Sequence, residues 1–152
     1  MKKIISLTLA LMMIVCVFAS CGGGKTASGD AVTVTVKFYA DGKEFYSKEV
    51  SAYSMDPELD PTVLDAVQCL MESETDIDII LDNEDNPKTI IGVDEYVPGE
   101  DDKEYWDFKI DDDNYGAGPA NDTKIKNGTV ITWGYMTLDE FKALDKVEEE
   151  IN

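Results

Sequence analysis

The feature that most restricts the fold of this chain is a strand pattern that recurs along it. Residues 32–38 (VTVTVKF) and 105–110 (YWDFKI) alternate in polarity with a period of two, which is typical of a strand with one buried face. Residues 130–136 (VITWGYM) are rich in β-branched and aromatic residues and predict a further strand. Asp41-Gly42 separates the first strand from residues 45–50 (FYSKEV), which predicts a β-hairpin.

Two helices are predicted among these strands. In the first, Asp60 is the expected N-cap and Pro61 the expected first residue, because proline has no amide hydrogen to leave unpaired there. Thr137 and Glu140 form a capping-box pattern that predicts a second, C-terminal helix. Apolar residues recur at helical spacing after both caps and predict buried stripes: Val63, Leu64, Val67, Leu70 and Met71 in the first helix, and Phe141, Leu144, Val147 and Ile151 in the second. Three glutamates at 148–150 oppose the dipole of the second helix, so its last turn is expected to fray.

Two shorter apolar segments complete the order of elements. Residues 77–81 are either a strand or part of a loop, and residues 89–93 predict a short strand. Strand, strand, helix, strands and helix in this order predict an α+β domain. We expect a β-grasp-like mixed sheet with one packed helix and a C-terminal helix, over residues 31–152.

The N-terminus predicts export and attachment to a membrane. Lys2-Lys3 precede an apolar run from Ile4 to Phe18, which has the order of a secretory signal and is too short for a membrane span. Phe18-Ala19-Ser20-Cys21 looks like a bacterial lipobox, so residues 1–20 are the expected signal peptide and Cys21 the lipidated N-terminus. Glycine, serine and small residues make 21–30 a flexible tether. The expected location is extracytoplasmic, with a lipid anchor in the cell membrane. The alternative is an ordinary secretory signal with an incidental cysteine.

The composition argues against several functional classes. The chain has no histidine and no arginine, so histidine-dependent nucleophilic catalysis and bidentate arginine clamps are not available to it. No spacing singles out a carboxylate pair, and we predict that the protein is not an enzyme. A formal charge of −19 repels nucleic acid, so no nucleic-acid partner is expected. Cys69, within the first helical stripe, is predicted to be a small buried core residue.

An ordered set of motifs in residues 32–136 resembles the transcobalamin-like C-terminal domain family. The motifs are the hairpin, PTVLDAV at 61–67, IIGV at 90–93, YWDFKI at 105–110, GAG at 116–118 and KNGTVITWGY at 126–135. Members are small β-grasp-like domains of secreted and lipid-anchored bacterial proteins, and in animal relatives the domain helps to enclose cobalamin. The resemblance implies a ligand-binding module with a corrinoid as its candidate ligand. No counterpart of the large helical domain of those carriers is present here, so we expect one wall of a site and no closed pocket.

Candidate ligand-binding residues come from two strands and one loop. Trp106, Phe108, Trp133 and Tyr135 are either core residues or rings on which a planar ligand stacks. The loop Tyr115–Asn121 contains Gly116 and Gly118, which allow a ligand to approach the backbone closely. Acidic runs at 82–86 and 111–114 suggest calcium, but neither fits the spacing of an EF-hand loop, and no metal site is predicted.

These observations lead to two hypotheses of different class. The first is a lipid-anchored binding module that captures a small soluble ligand, with a corrinoid as candidate, and delivers it to a membrane transporter. No resident cofactor is expected. The second is an interaction module of the same fold that presents its loops to another protein or to a cell-surface glycan. An exposed aromatic cluster beside the glycine-rich loop favours the first hypothesis, and a fully buried aromatic set with a flat surface favours the second.

Overall fold

The computed structural model describes residues 30–54, 56, 58–99, 103–113, 115–141 and 143. The predicted signal peptide, Cys21, nearly all of the tether and the end of the second helical stripe therefore lie outside the described residues. Within the described ranges, no helix is both long and apolar enough to cross a membrane.

The described chain forms an α+β domain, as predicted. Its strands are β1 (Val32–Ala40), β2 (Lys43–Ala52), β3 (Ile79–Leu81), β4 (Ile90–Val93), β5 (Glu104–Ile110) and β6 (Val130–Thr137), and its first helix is α1 (Val63–Ser73). Four strands form one sheet in the order β2-β1-β6-β5. The β1–β6 pair is parallel and the two outer pairs are antiparallel, which makes the sheet mixed. The first and last strands of the domain are thus central neighbours.

One part of the predicted sheet arrangement is wrong. β3 and β4 do not join the four-stranded sheet; they pair with each other in a separate antiparallel sheet. Each has at most four residues, so neither is long enough to add a full edge to the larger sheet. The single mixed sheet expected from the sequence is therefore a mixed sheet of four strands with a small second sheet beside it.

Helix α1 covers one face of the four-stranded sheet, which is here called the core face. Alternate residues of the central strands point toward it and are buried, among them Val34, Val36 and Phe38 of β1 and Ile131 of β6. From the helix, Val63, Leu64, Val67 and Leu70 are buried, as the stripe predicted, whereas Met71 is 38% exposed. A salt bridge of 2.9 Å between Lys48 Nζ and Glu74 Oε1 joins β2 to the end of the helix.

The start of α1 differs from the prediction by two residues. Thr62 is the N-cap, and its hydroxyl accepts a hydrogen bond from the Asp65 amide at 3.2 Å while the Asp65 carboxylate accepts one from the Thr62 amide at 2.8 Å. This reciprocal capping box pairs the Thr62 and Asp65 amides, and it takes the place of the cap predicted at Asp60. Asp60 instead forms a salt bridge of 2.9 Å with Lys124.

A β-bulge in the predicted hairpin changes which side chains reach each face. The turn is at Asp41-Gly42, and both residues have positive φ, 52° and 68°. Phe38 pairs with Tyr46 but Tyr39 pairs with Glu44, so Phe45 is the extra residue of the bulge. Phe45 therefore packs on the core side, 6.2 Å from the Phe38 ring, and Glu44 comes to lie opposite Tyr39.

The opposite face of the four-stranded sheet is here called the open face. It carries Lys37 and Tyr39 of β1, Asp107 and Lys109 of β5, and Thr132 of β6, the polar positions of the alternating strands. A second helix, α2, begins at Leu138, and its predicted capping box is present: the Thr137 amide and hydroxyl both donate to Glu140 Oε2, at 2.8 and 2.7 Å. Helix α1 therefore lies on the core face, while Phe141 of α2 packs against Tyr115 on the open face.

Candidate functional site

The four strand aromatics predicted as candidates all lie on the core face. Their exposed fractions are 6% for Trp106, 2% for Phe108, 0% for Trp133 and 8% for Tyr135. Phe108 packs on Trp133 with ring centroids 4.9 Å apart, and Trp106 packs on Tyr135 at 5.3 Å. The Trp106 indole also donates a 3.0 Å hydrogen bond to the Tyr96 carbonyl. These rings follow the core-packing alternative, and they offer almost no free ring face on which a ligand could stack.

The glycine-rich loop is on the other side of the sheet from those rings. Tyr115 is half-buried and lies against the open face, and Gly116, with φ of 85°, donates its amide to the Phe108 carbonyl at 3.2 Å. Gly118 also has a positive φ, of 111°, and is exposed. The later part of the loop is occupied elsewhere, since the Ala120 and Thr123 carbonyls accept hydrogen bonds from the first amides of α1. Its first part, at Tyr115 and Gly116, is therefore the part that lies against the open face.

A groove of about 500 Å³ crosses the open face next to Tyr115. This volume is in the range of small-molecule sites, which usually combine apolar walls with a few polar groups. The residues that line it come from the β1–β2 hairpin, from β5 and the turn after it, from the glycine-rich loop and from β6: Lys37, Tyr39, Ala40, Gly42, Lys109, Asp111, Asp112, Tyr115, Val130, Thr132 and Met136.

The register of the sheet places two lysines on either side of a threonine in the floor of the groove. Lys37 of β1 and Lys109 of β5 are both paired with Thr132 of β6. Because neighbouring strands are separated by about 4.8 Å, the two lysine Cα positions are about 10 Å apart across the sheet. One row of the sheet therefore supplies two ammonium groups and a hydroxyl to the same groove.

On the hairpin side, three polar groups are joined in one network. The Tyr39 hydroxyl donates to Glu44 Oε2 at 2.7 Å, and Lys37 Nζ donates to the same oxygen at 3.1 Å. The hydrogen bond from Tyr39, followed by that from Lys37, lowers the pKa of Glu44, and the bond to Glu44 raises the pKa of both Lys37 and Tyr39. At neutral pH the Glu44 carboxylate is thus charged and the tyrosine is neutral.

On the other side, the Tyr115 ring is held by neighbours above and below it. Its centroid is 4.9 Å from that of Phe141 of α2, and Lys109 Nζ lies 5.5 Å from the Tyr115 centroid, within the range of a cation–π contact. Beneath the ring is Gly134 of β6, where an added Cβ would lie 3.1 Å from Tyr115 Cε1 and would overlap the end of Met136. Glycine at this strand position thus allows Tyr115 and Met136 to rest on the sheet.

In each acidic run considered for calcium, one carboxylate oxygen accepts hydrogen bonds from backbone amides. Asp82 Oδ1 accepts hydrogen bonds from the Lys88 and Thr89 amides at 2.8 and 3.2 Å, and Asp111 Oδ1 accepts one from the Val130 amide at 2.8 Å. Among the residues that the structure describes, no group of three or more metal-ligating side chains converges.

Several groove residues were not singled out by the sequence. Lys37, Lys109 and Thr132 occupy the polar positions of alternating strands, which look like ordinary solvent-facing residues. Glu44 reaches the open face only because of the bulge at Phe45, and no pattern in the sequence marks a bulge there. Of the predicted ligand-binding residues, Tyr115 lines the groove and Gly116 and Gly118 lie in the adjoining loop, whereas the four strand aromatics lie on the core face.

Comparison with known proteins identifies no family for this chain. No protein-family model matches it, and no curated protein matches it significantly.

Proposed function

We propose that this protein is a lipid-anchored, extracytoplasmic module that binds a small soluble ligand in the groove on the open face. The observation that carries the proposal is the groove itself: about 500 Å³, with Tyr39, Tyr115 and Met136 as its large apolar surfaces. Lysine, threonine and aspartate side chains are placed among them, which is the mixed lining of small-molecule sites. The glycine-rich loop predicted to bind a ligand adjoins this groove.

The resemblance to transcobalamin-like domains supplies the candidate ligand, a corrinoid. A corrinoid has a broad planar ring system, which suits an open groove on a sheet better than a closed cavity. Because one wall leaves the ligand partly in water, we expect affinity near micromolar and not picomolar, a difference of about 8 kcal/mol. Such an affinity is compatible with handing the ligand on to a membrane transporter.

Binding is tested by calorimetry with dicyanocobinamide and the domain from Ala31 onward. We expect heat and a thermal shift at about 100 μM ligand, and at least about tenfold weaker binding for Tyr115→Ala. Tyr105→Ala is the matched control, because Tyr105 also packs on Phe141, at 5.1 Å, but does not line the groove. Absence of both heat and thermal shift overturns the ligand-binding proposal. Binding that is equal in the two variants keeps the function and rejects the groove.

Membrane attachment is tested separately on the full chain. Because Cys21 is the proposed site of lipidation, Cys21→Ala is expected to abolish both incorporation of labelled fatty acid and partition with membranes. Cys16→Ala is the control, since Cys16 lies within the predicted signal. Label retained by Cys21→Ala contradicts the anchor.

A second candidate function, interaction with a protein or a glycan, is favoured by a different surface. Ile80, Ile91 and Val97 on and beside the small sheet are 38%, 41% and 44% exposed. Exposed apolar residues that lie close together are a common property of interaction sites. The burial of the four strand aromatics also agrees with this alternative. It becomes the leading hypothesis when dicyanocobinamide gives no heat.

A further inference from the structure

The two lysines in the floor of the groove suggest, at first, a site for an anion. An ammonium group attracts carboxylate or phosphate, and Lys37 and Lys109 lie on either side of Thr132 in one row of the sheet. Whether they attract an anion depends on the charges around them. Those charges come from the hairpin on one side and from the turn after β5 on the other.

On the hairpin side, the charge of Lys37 is already compensated. Its Nζ forms a salt bridge of 3.1 Å with Glu44, and the Tyr39 hydroxyl binds the same carboxylate oxygen. Both described hydrogen bonds of Glu44 go to Oε2, from the Lys37 ammonium and the Tyr39 hydroxyl. An incoming carboxylate would compete with Glu44 for Lys37 and would face the charge of Glu44 directly.

On the other side, Lys109 shares the groove with two carboxylates. Asp111 and Asp112 line the groove at the turn that follows β5, and the Asp111 backbone has φ of 51°. Asp111 is held in place by the hydrogen bond from the Val130 amide to its Oδ1. The lining of the groove thus contains two lysines and two carboxylates. Two further carboxylates belong to the same face, Glu44 bound to Lys37 and Asp107 on β5, in a chain whose formal charge is −19.

We propose that the groove selects a neutral ligand that carries amide or hydroxyl donors beside a flat apolar surface, and rejects the same ligand when its amides are carboxylates. This inference rests on the proposed function. The carboxylates accept hydrogen bonds from ligand N–H or O–H groups, while Tyr115 and Met136 contact the apolar surface. Anionic groups are excluded by repulsion, which gives specificity against a competitor without any additional attractive contact.

The test compares two corrinoids that differ in these groups: dicyanocobinamide, whose side chains end in amides, and dicyanocobyrinic acid, whose side chains end in carboxylates. At about 50 mM salt we expect the acid to bind at least about tenfold more weakly. The ratio of the two dissociation constants, acid over amide, should shrink at about 500 mM salt because the charges are screened. Glu44→Gln should lower the ratio by about threefold or more, since it removes one carboxylate and releases Lys37.

Glu72→Gln is the matched control for Glu44→Gln. Glu72 is exposed on α1 and accepts a 3.1 Å hydrogen bond from the Tyr53 hydroxyl, so the variant makes the same change in charge at a similar pair outside the groove. The ratio should stay unchanged in this variant. Equal or tighter binding of the acid overturns the inference while the proposed function stands, and so does an equal effect of the two variants. If neither corrinoid binds, the proposed function fails and the inference fails with it.

Discussion

The core face and the open face of the four-stranded sheet differ in how their aromatic residues are held. On the core face, Phe108 packs on Trp133 and Trp106 packs on Tyr135, and at most 8% of each ring is exposed. On the open face, Tyr39 is held by a hydrogen bond to Glu44, and Tyr115 by contacts with Phe141 and Lys109. Both open-face rings line the groove.

This difference shows why residue type alone is a poor guide to binding in a sheet with one covered face. Tryptophan and tyrosine both combine a large apolar ring with one polar group, so either can pack in a core or line a site. Tyrosine can lie across a polar face because its hydroxyl finds a partner there, as Tyr39 finds Glu44. In this molecule the two tryptophans pack in the core, and the half-buried Tyr39 and Tyr115 line the groove.

The largest expected effect comes from neighbouring residues on opposite faces. Trp133→Ala removes a fully buried ring, and we expect the free energy of unfolding to fall by about 3–5 kcal/mol. Thr132→Ala, one residue earlier and facing the groove, should cost about 1 kcal/mol or less. Denaturant unfolding of the two variants measures both. Similar losses of unfolding free energy in the two variants would contradict the view that the core face stabilises the fold and the open face does not.

A smaller effect is expected at Gly134, where a substitution should weaken ligand binding but leave stability nearly unchanged. The atoms nearest to an added Cβ belong to Met136 and Tyr115, so Gly134→Ala should displace these two side chains with little loss of stability. We expect binding of dicyanocobinamide to weaken about tenfold, which corresponds to about 1.4 kcal/mol. Gly92→Ala is the control: its Cβ meets Val97 and Ile80 on the small sheet. Unchanged affinity in Gly134→Ala would remove Tyr115 from the site.

The smallest expected effect is a change in a tyrosine pKa, measured by absorbance. The experiment compares Tyr46 on the core face with Tyr39 on the open face. Burial, followed by the charges of Asp76 and Glu74, raises the pKa of Tyr46 from 10.0 to about 12. The pKa of Tyr39 is raised chiefly by its hydrogen bond to Glu44. In a pH titration of tyrosine absorbance, Glu44→Gln should lower the pKa of Tyr39 and leave that of Tyr46 unchanged.

The sign of the Tyr46 shift also gives a dependence of stability on pH. The folded state favours the protonated phenol, so the contribution of Tyr46 to stability is fully present below pH 10 and is lost as the pH rises through about 12. Tyr46→Phe should remove this part of the loss in alkaline unfolding experiments. If Tyr46→Phe loses stability with rising pH in the same way as the unmodified protein, Tyr46 does not contribute to the pH dependence of stability.

Much of the fold could be predicted from local pattern. The alternation in β1 and β5, the Asp41-Gly42 turn and the Thr137/Glu140 capping box all depend on residues close in sequence, and the structure confirms them. The cap of α1 was predicted wrongly because Asp60 and Thr62 are both good caps, and the hydrogen bond between the Ile125 amide and the Pro61 carbonyl is not visible in local sequence.

The candidate site was less predictable because it depends on register. Lys37, Thr132 and Lys109 come from three strands, and only their pairing places them in one row. The bulge at Phe45 brings Glu44 to Tyr39, and Gly134 makes room for Tyr115 across a separation of nineteen residues. Pattern indicates which residues of a strand share a face, but the face that is covered and the neighbours across it follow from tertiary packing.

The most direct test of the account is an amide NMR titration of the domain with dicyanocobinamide, because it reports both faces at once. We predict that the amides of Lys37, Lys109 and Thr132 shift with the ligand, while the indole N–H signals of Trp106 and Trp133, both on the core face, stay in place. Shifts confined to the two indoles or to residues of β3 and β4, with the three groove amides unchanged, would contradict the assignment of binding to the open face.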